Sequence, residues 1–269
     1  MSFPLPSLRR LGATAPLALA TTLLLAGAAA QAQVRQVTIS VQNLAASDGT
    51  VVAPLNFGFG SGAFDGFDLG QVASPAIQRV AELGSGSLWL PAFTAADPGA
   101  TVGTIGSSPL LPGLSASTTV SVNTALNPYF SYAAMVVPSN DFFLGNDSPT
   151  AYRMFNADGS LAITSISVRA RDLWDAGTEV FDPAAAAFVG NAALRGDQQS
   201  VVAHNFAEFA AFNGLTTAAG YTFRSGLAAD TELYRISFVA APVPEPASLA
   251  LMLAGLGAVG WLAARRRSL

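Results

Sequence analysis

The chain has no cysteine, which removes disulfides, thiol nucleophiles, cysteine metal sites and attachment of a lipid through a lipobox. It has no lysine either: all 13 basic residues are arginine. Schiff-base chemistry and P-loop phosphate binding both depend on that missing amine. Histidine occurs once, as His204, so a Ser-His-Asp triad would have to be built around it. No G-x-S-x-G elbow is present, and the strand-like neighbours Val201-Val202-Ala203 and Phe206 suit a structural or surface histidine. Charge is scarce, at 11% of residues, and unevenly signed. Without the five arginines Arg9, Arg10, Arg265, Arg266 and Arg267, eight basic residues face 17 acidic ones, a balance of −9. Such a chain is a poor binder of nucleic acid or anionic lipid by charge. Its carboxylates and lack of thiols are compatible with a hard cation held by oxygen.

What the chain does have is an apolar segment at each end. Arg9-Arg10, the apolar stretch 11–29 and the A-x-A sequence Ala30-Gln31-Ala32 follow the order of a secretory signal peptide over residues 1–32. Cleavage is expected after Ala32, with Ala30 as the rival point. The residues around Arg9-Arg10 fit a twin-arginine signal poorly. At the other end, Val243-Pro244-Glu245-Pro246-Ala247-Ser248 leads into the apolar run 249–264 and then Arg265-Arg266-Arg267. The prolines fix φ and keep the motif extended. The uncharged stretch is just long enough, as a helix, to cross a hydrocarbon core of roughly 30 Å, with the arginines on the cytoplasmic side. An ordinary transmembrane anchor would have the same hydropathy. The order of Pro-Glu-Pro, short apolar helix and arginine cluster resembles the PEP-CTERM sorting signal of polysaccharide-producing Gram-negative bacteria. The resemblance implies that 243–269 is a temporary anchor, processed near Pro244-Glu245-Pro246 by a membrane-embedded exosortase. It implies as partners that exosortase and the secretory export machinery. It also implies an inner-membrane precursor and then a protein of the periplasm, cell surface or extracellular matrix.

Between the two ends, residues 33–241 read as one domain of strands. Val37, Ile39 and Val41 alternate with Thr38, Ser40 and Gln42, the period of a half-buried strand. Similar runs occur at 118–122, 129–137, 163–168 and 233–239, separated by turns such as Ser47-Asp48-Gly49, Asn127-Pro128 and Asp158-Gly159. The expected fold is mainly β, an antiparallel β-sandwich with one short helix, flanked by the signal peptide and the C-terminal transmembrane helix. That helix has Ser74 as cap, Pro75 in its first turn, Ile77, Val80 and Ala81 on one face, and Gly84 as its stop. Glycine-rich stretches at 58–66, 84–87 and 99–108 read as long loops, and a helical turn is expected at 184–187.

Three segments together resemble the spondin domain, the F-spondin N-terminal family. They are 67–84, with its loop leading into the helix; Val137-Pro138-Ser139-Asn140-Asp141-Phe142-Phe143-Leu144-Gly145; and Arg171-Asp172-Leu173-Trp174-Asp175-Ala176-Gly177-Thr178-Glu179. The resemblance implies a β-sandwich with a calcium ion at one end. The residues suited to that ion are Asp141 in its Pro-Ser-Asn turn, Asp175 and Glu179 across Ala176-Gly177, and Asp172 as a fourth candidate. Arg169 or Arg171 could pair with Asp172 instead. Calcium takes six to eight oxygens, so carbonyls and water would complete the shell. Acidic residues in turns otherwise bond only the local backbone. The family's disulfides have no counterpart here, and integrin binding does not carry over.

The remaining constellations are weaker. The stretch 58–66 lacks the lysine of a phosphate cradle, and Asp65 and Asp68 shape turns or add oxygens to a cation site. Phe142, Phe143 and Trp174 are core anchors or, if exposed, a contact patch for a membrane or glycan. The sequence therefore points to a non-catalytic, calcium-binding module of the cell surface or polysaccharide matrix. Extracellular polysaccharide and envelope components are its candidate partners. The alternatives are an enzyme acting on matrix polysaccharide through clustered carboxylates, whose separation the sequence does not reveal, and a permanently anchored envelope protein.

Overall fold

The computed structural model describes residues 34–242 and, near the C-terminus, helical residues 253–257, 259–261 and 265. The expected signal peptide, Pro244-Glu245-Pro246, Arg266 and Arg267 lie outside the described residues, as does most of the expected transmembrane helix. Among the described residues no helix is long and apolar enough to cross a membrane. Arg265 places its guanidinium 5.1 Å from the centre of the Trp261 ring. Residues 34–242 form one compact unit.

That unit is mainly β, with two antiparallel sheets. The first has the order β5-β1-β10-β8, from β1 (Val34–Asn43), β5 (Ser115–Asn123), β8 (Ser165–Arg169) and β10 (Glu232–Pro242). The second has the order β4-β3-β6-β7-β9, from β3 (Leu55–Gly60), β4 (Thr101–Ile105), β6 (Tyr129–Val137), β7 (Phe142–Gly145) and β9 (Trp174–Asp175). A two-residue strand, β2 (Val51–Val52), adds to β6. Both chain ends of the unit meet in the first sheet, where Arg35 is opposite Pro242.

Side-chain patterning explains how the sheets are buried. In β1 the buried Val37, Ile39 and Val41 alternate with polar neighbours, as expected for a sheet with one solvated face. Strand β6 is buried on both faces and reads as a near-continuous apolar run. Val37, Ile39, Val168, Ile236 and Phe238 of the first sheet share one core with Phe57, Phe59, Phe130, Phe142 and Leu144 of the second. The Phe130 and Phe238 rings meet edge to face across that core at 4.9 Å. Edge-to-face pairs add about 0.5–1.5 kcal/mol to the area they bury.

The other face of the second sheet is covered by helices. Helix α1 (Pro75–Leu83) begins as expected: the Ser74 side chain accepts the Ile77 N–H at 3.3 Å, and Gly84 closes the helix in the left-handed region. A second helix, α2 (Trp89–Ala96), corrects the expectation of a single one. It has no side-chain cap, and Pro91 in its first turn is tolerated there without specifying a start. Its burial explains it instead: Trp89 and Phe93 pack with Phe64, Ile77, Val80 and Phe143 in a second core. The loops expected at 58–66 and 99–108 are corrected in part. Gly58 and Gly60 lie in β3, where an added Cβ at Gly58 would come within 2.4 Å of the Phe93 ring. These glycines therefore mark the close approach of α2 to a strand. Residues 101–105 form β4 beside it. The expected helical turn at 184–187 is a plain turn ending in a bridge from Ala187 to Ser139.

The two sheets are not joined equally at their sides. On one side the Thr101 hydroxyl of β4 donates to the Ser121 carbonyl of β5 at 3.2 Å. On the other side β8 and the β7-β9 edge leave a groove between them.

Candidate functional site

Asp141 and Asp175 are brought together by strand pairing. Phe142 of β7 stands opposite Asp175 of β9, so the turn after β6 and the segment 175–179 become neighbours. The Ser139 hydroxyl accepts the Phe142 N–H and donates to the Val136 carbonyl, fixing the Pro-Ser-Asn turn. Asn140 exchanges two hydrogen bonds of 3.2 Å with the backbone of Asp182. In this frame Asp141 is 3% exposed. Its Oδ2 accepts the Thr178 N–H at 2.6 Å, the Thr178 hydroxyl at 3.2 Å and the Glu179 N–H at 3.0 Å.

Gly177 makes the turn between the carboxylates possible. It has φ of 67°, and a Cβ there would lie 2.8 Å from the Val201 carbonyl oxygen. Asp175 accepts the Gly177 N–H through Oδ1 at 2.8 Å and the Asn205 side chain through Oδ2 at 2.7 Å. Glu179 is 4% exposed and lies 3.2 Å from the Arg195 guanidinium, which also reaches Glu82 at 3.6 Å. Asp141, Asp175 and Glu179 line one pocket of about 250 Å³, together with Glu208 and the carboxamide side of Asn205. Asp172 does not share it. That carboxylate accepts the Arg169 N–H at 2.9 Å and borders the separate groove beside β8.

The pocket concentrates negative charge. Burial pushes the Asp141 carboxyl up to about 6, with the Asp175 charge adding to the rise and three donated hydrogen bonds opposing it. Burial pushes Glu179 up to about 7 even with Arg195 opposing, and the Glu82 and Asp141 charges raise it further. Burial, then the charges of Asp175 and Asp141, push Glu208 up to about 7 as well. Three acids poised near neutrality in one concavity are characteristic of functional sites. Every donor atom here is oxygen, which suits a hard cation rather than zinc or copper. Among the described residues, however, no three His, Cys, Asp or Glu side chains gather closely enough to hold a metal by themselves. A cation here would take carbonyl and water oxygens too.

Glu208 and Asn205 were not foreseen from the sequence. They lie before and within the turn Phe206–Phe212, a Phe/Ala run that folds as 3-10 helix with Phe209 and Phe212 buried. A lone acid inside such an apolar run was the available signal. Phe142 and Phe143 are core anchors, at 1% and 0% exposure. Trp174 is nearly covered, with His204 stacked on it at 3.9 Å between ring centres. His204 is an exposed surface residue of the groove.

Residues 242–267 match the PEP-CTERM protein-sorting motif. The match covers Pro244, Glu245, Pro246, Arg265, Arg266 and Arg267, and begins on the last residue of β10. Such a motif marks an exported protein that is recognised by an exosortase and anchored in the membrane before processing. No curated protein matches the chain.

Proposed function

We propose that the protein is a non-catalytic, calcium-binding β-sandwich of the spondin type, released by exosortase processing into the cell surface or polysaccharide matrix. The observation that carries this reading is the convergence of Asp141 with Asp175 and Glu179 in one oxygen-lined pocket, across more than thirty residues of sequence. The four acids there outnumber the single arginine, and a divalent cation would relieve their mutual repulsion. Calcium bound at that point would tie the β6–β7 turn to the 175–179 segment, and its open coordination positions would suit the carboxylates of an acidic polysaccharide. Asp172 has no part in this site. Residues 1–32 act as the export signal and 243–269 as the removable address.

Thermal unfolding of the full chain, with calcium and with chelator, tests the cation. A ligand at one hundred times its Kd stabilises by about 2.7 kcal/mol, so calcium raises the melting temperature by several degrees and chelator reverses the gain. Asp175→Asn removes most of that response. A melting curve indifferent to calcium and chelator sinks the assignment.

One observation favours a second reading. Asp141, Glu179 and Glu208 have carboxyls lifted into the range that general acids use. A polysaccharide-cleaving enzyme would show turnover on exopolysaccharide that disappears in Glu208→Gln while the fold persists.

A further inference from the structure

The groove on the open side of the two sheets has a different chemistry from the acidic pocket. It encloses about 530 Å³ between the edge strand β8 and the β7-β9 edge, and no residue lines both concavities. A ligand pocket ordinarily measures about 300–1,000 Å³ and joins aromatic surface to a few polar groups. Here the aromatic surface comes from two pairs. Tyr132 and Tyr152 lie 6.0 Å apart, tilted by 36°. His204 and Trp174 lie 3.9 Å apart, tilted by 30°. Phe67 meets Trp174 edge-on at 5.1 Å, so His204 is the exposed member of that stack.

The polar groups are equally defined. His204 Nδ1 lies 2.8 Å from the Leu173 carbonyl oxygen, which can only accept, so Nδ1 carries the proton. In the neutral ring Nε2 is then an acceptor. Burial raises both phenols, so each stays protonated, and the half-buried Tyr152 brings to the groove a hydroxyl able to donate or accept. Asp172 and Arg171 supply one acceptor and one donor group at the rim. Arg171 is held by an ion pair with Asp230. Asp147 is a second carboxylate in the lining, but its Oδ1 accepts the Leu69 N–H, so the groove repels anions and keeps Asp172 as its acceptor at the rim. A wholly apolar ligand would strand the hydroxyl, imidazole and carboxylate without partners.

We propose that this groove is a saccharide-binding site that takes a neutral hexopyranose unit. The C–H face of the ring lies against the His204–Trp174 stack and Tyr152. Its hydroxyls meet the Tyr152 hydroxyl, His204 Nε2 and Asp172. The inference deepens the matrix-module reading and uses it only for the biological setting. It neither needs nor excludes calcium in the acidic pocket.

The single histidine makes the test direct. The full chain, labelled with 15N-histidine and held in detergent, is titrated with cellohexaose, maltohexaose and laminarihexaose, first in EDTA and then in calcium. A saturable shift of the one imidazole signal is expected with at least one of the three, in both conditions. Tyr152→Phe, which removes only an oxygen, weakens that binding about fivefold, as the loss of one hydrogen bond does. His204→Ala, followed by calorimetry, weakens it about tenfold through the lost contact face, with a melting temperature lowered by no more than about 2–4 °C. A shift that stays linear with all three sugars overturns the proposal, as does equal affinity in wild type and both variants. Neither result alters the calcium melting test, so the two readings fail separately.

Discussion

The acidic pocket and the saccharide groove lie side by side, and adjacent residues feed them: Asp175 faces one and Trp174 the other. They are nevertheless built on opposite terms. The pocket collects charges of one sign and offsets them with backbone N–H groups drawn from the chain itself. The groove collects aromatic faces and mixed polar groups, several of which also hold the local fold, as Asp172 does for the Arg169 N–H and Trp174 for the Gly145 carbonyl. Asp141 and Asp175 in the first are buried and carry several bonds each, whereas His204 in the second is exposed and its imidazole bonds the protein through Nδ1, leaving Nε2 for a ligand. Substitutions in the pocket should therefore cost stability, and exposed substitutions in the groove should not.

Asp141→Ala is the strongest way to break that contrast. It strands the Thr178 and Glu179 N–H groups and the Thr178 hydroxyl, all of which end on one carboxylate oxygen. An unsatisfied buried donor costs about 1–3 kcal/mol, and relief of the repulsion with Asp175 offsets part of the total, leaving a net loss of about 2–4 kcal/mol. Asp141→Asn keeps an acceptor and loses far less. Denaturant unfolding of the two variants measures the difference. Equal stability of wild type and Asp141→Ala would mean that the turn does not depend on the carboxylate.

The same pocket was only half legible in the sequence. Asp141, Asp175 and Glu179 sit in turn segments that could be picked out by motif, and Gly177 marked the reversal between them. Their meeting depends on the pairing of Phe142 with Asp175, a long-range register that no local pattern encodes. Glu208 arrives from still further along the chain, inside a segment whose 3-10 geometry follows from the burial of Phe209 and Phe212. Fold legibility divides in the same way. Strand β1 and helix α1 follow local rules of alternation and capping, and both were readable. Helix α2 is specified by the core it enters, with Gly58 and Gly60 clearing its path in a strand thirty residues earlier. Glycines of that kind look like loop residues until their neighbour is known.

The pH dependence of stability sharpens the comparison at an intermediate size. Asp141, Glu179 and Glu208 all have folded carboxyls above their unfolded range. The folded state therefore holds more protons than the unfolded one between about pH 4 and pH 7. The contribution is present in full below the unfolded values and is lost as pH rises through 6 to 7. Without divalent cations, stability should fall by several kcal/mol from about pH 5 to pH 8, with the share of Glu208 discounted for its partial exposure. Glu208→Gln flattens that slope in part, by less than the share of Glu179. Melting temperatures that rise over the same interval would contradict the charge imbalance assigned to the pocket.

The smallest expected effect tests the other half of the contrast. His204 is exposed, and its one bond to the protein is to the Leu173 carbonyl. Its removal costs that one bond and the stack on Trp174. His204→Ala should therefore change stability by no more than about 0.5–1 kcal/mol. A loss as large as that of Asp141→Ala would make the imidazole a structural strut for β9. The groove would then be a packing defect closed by His204, rather than a surface kept open for a ligand.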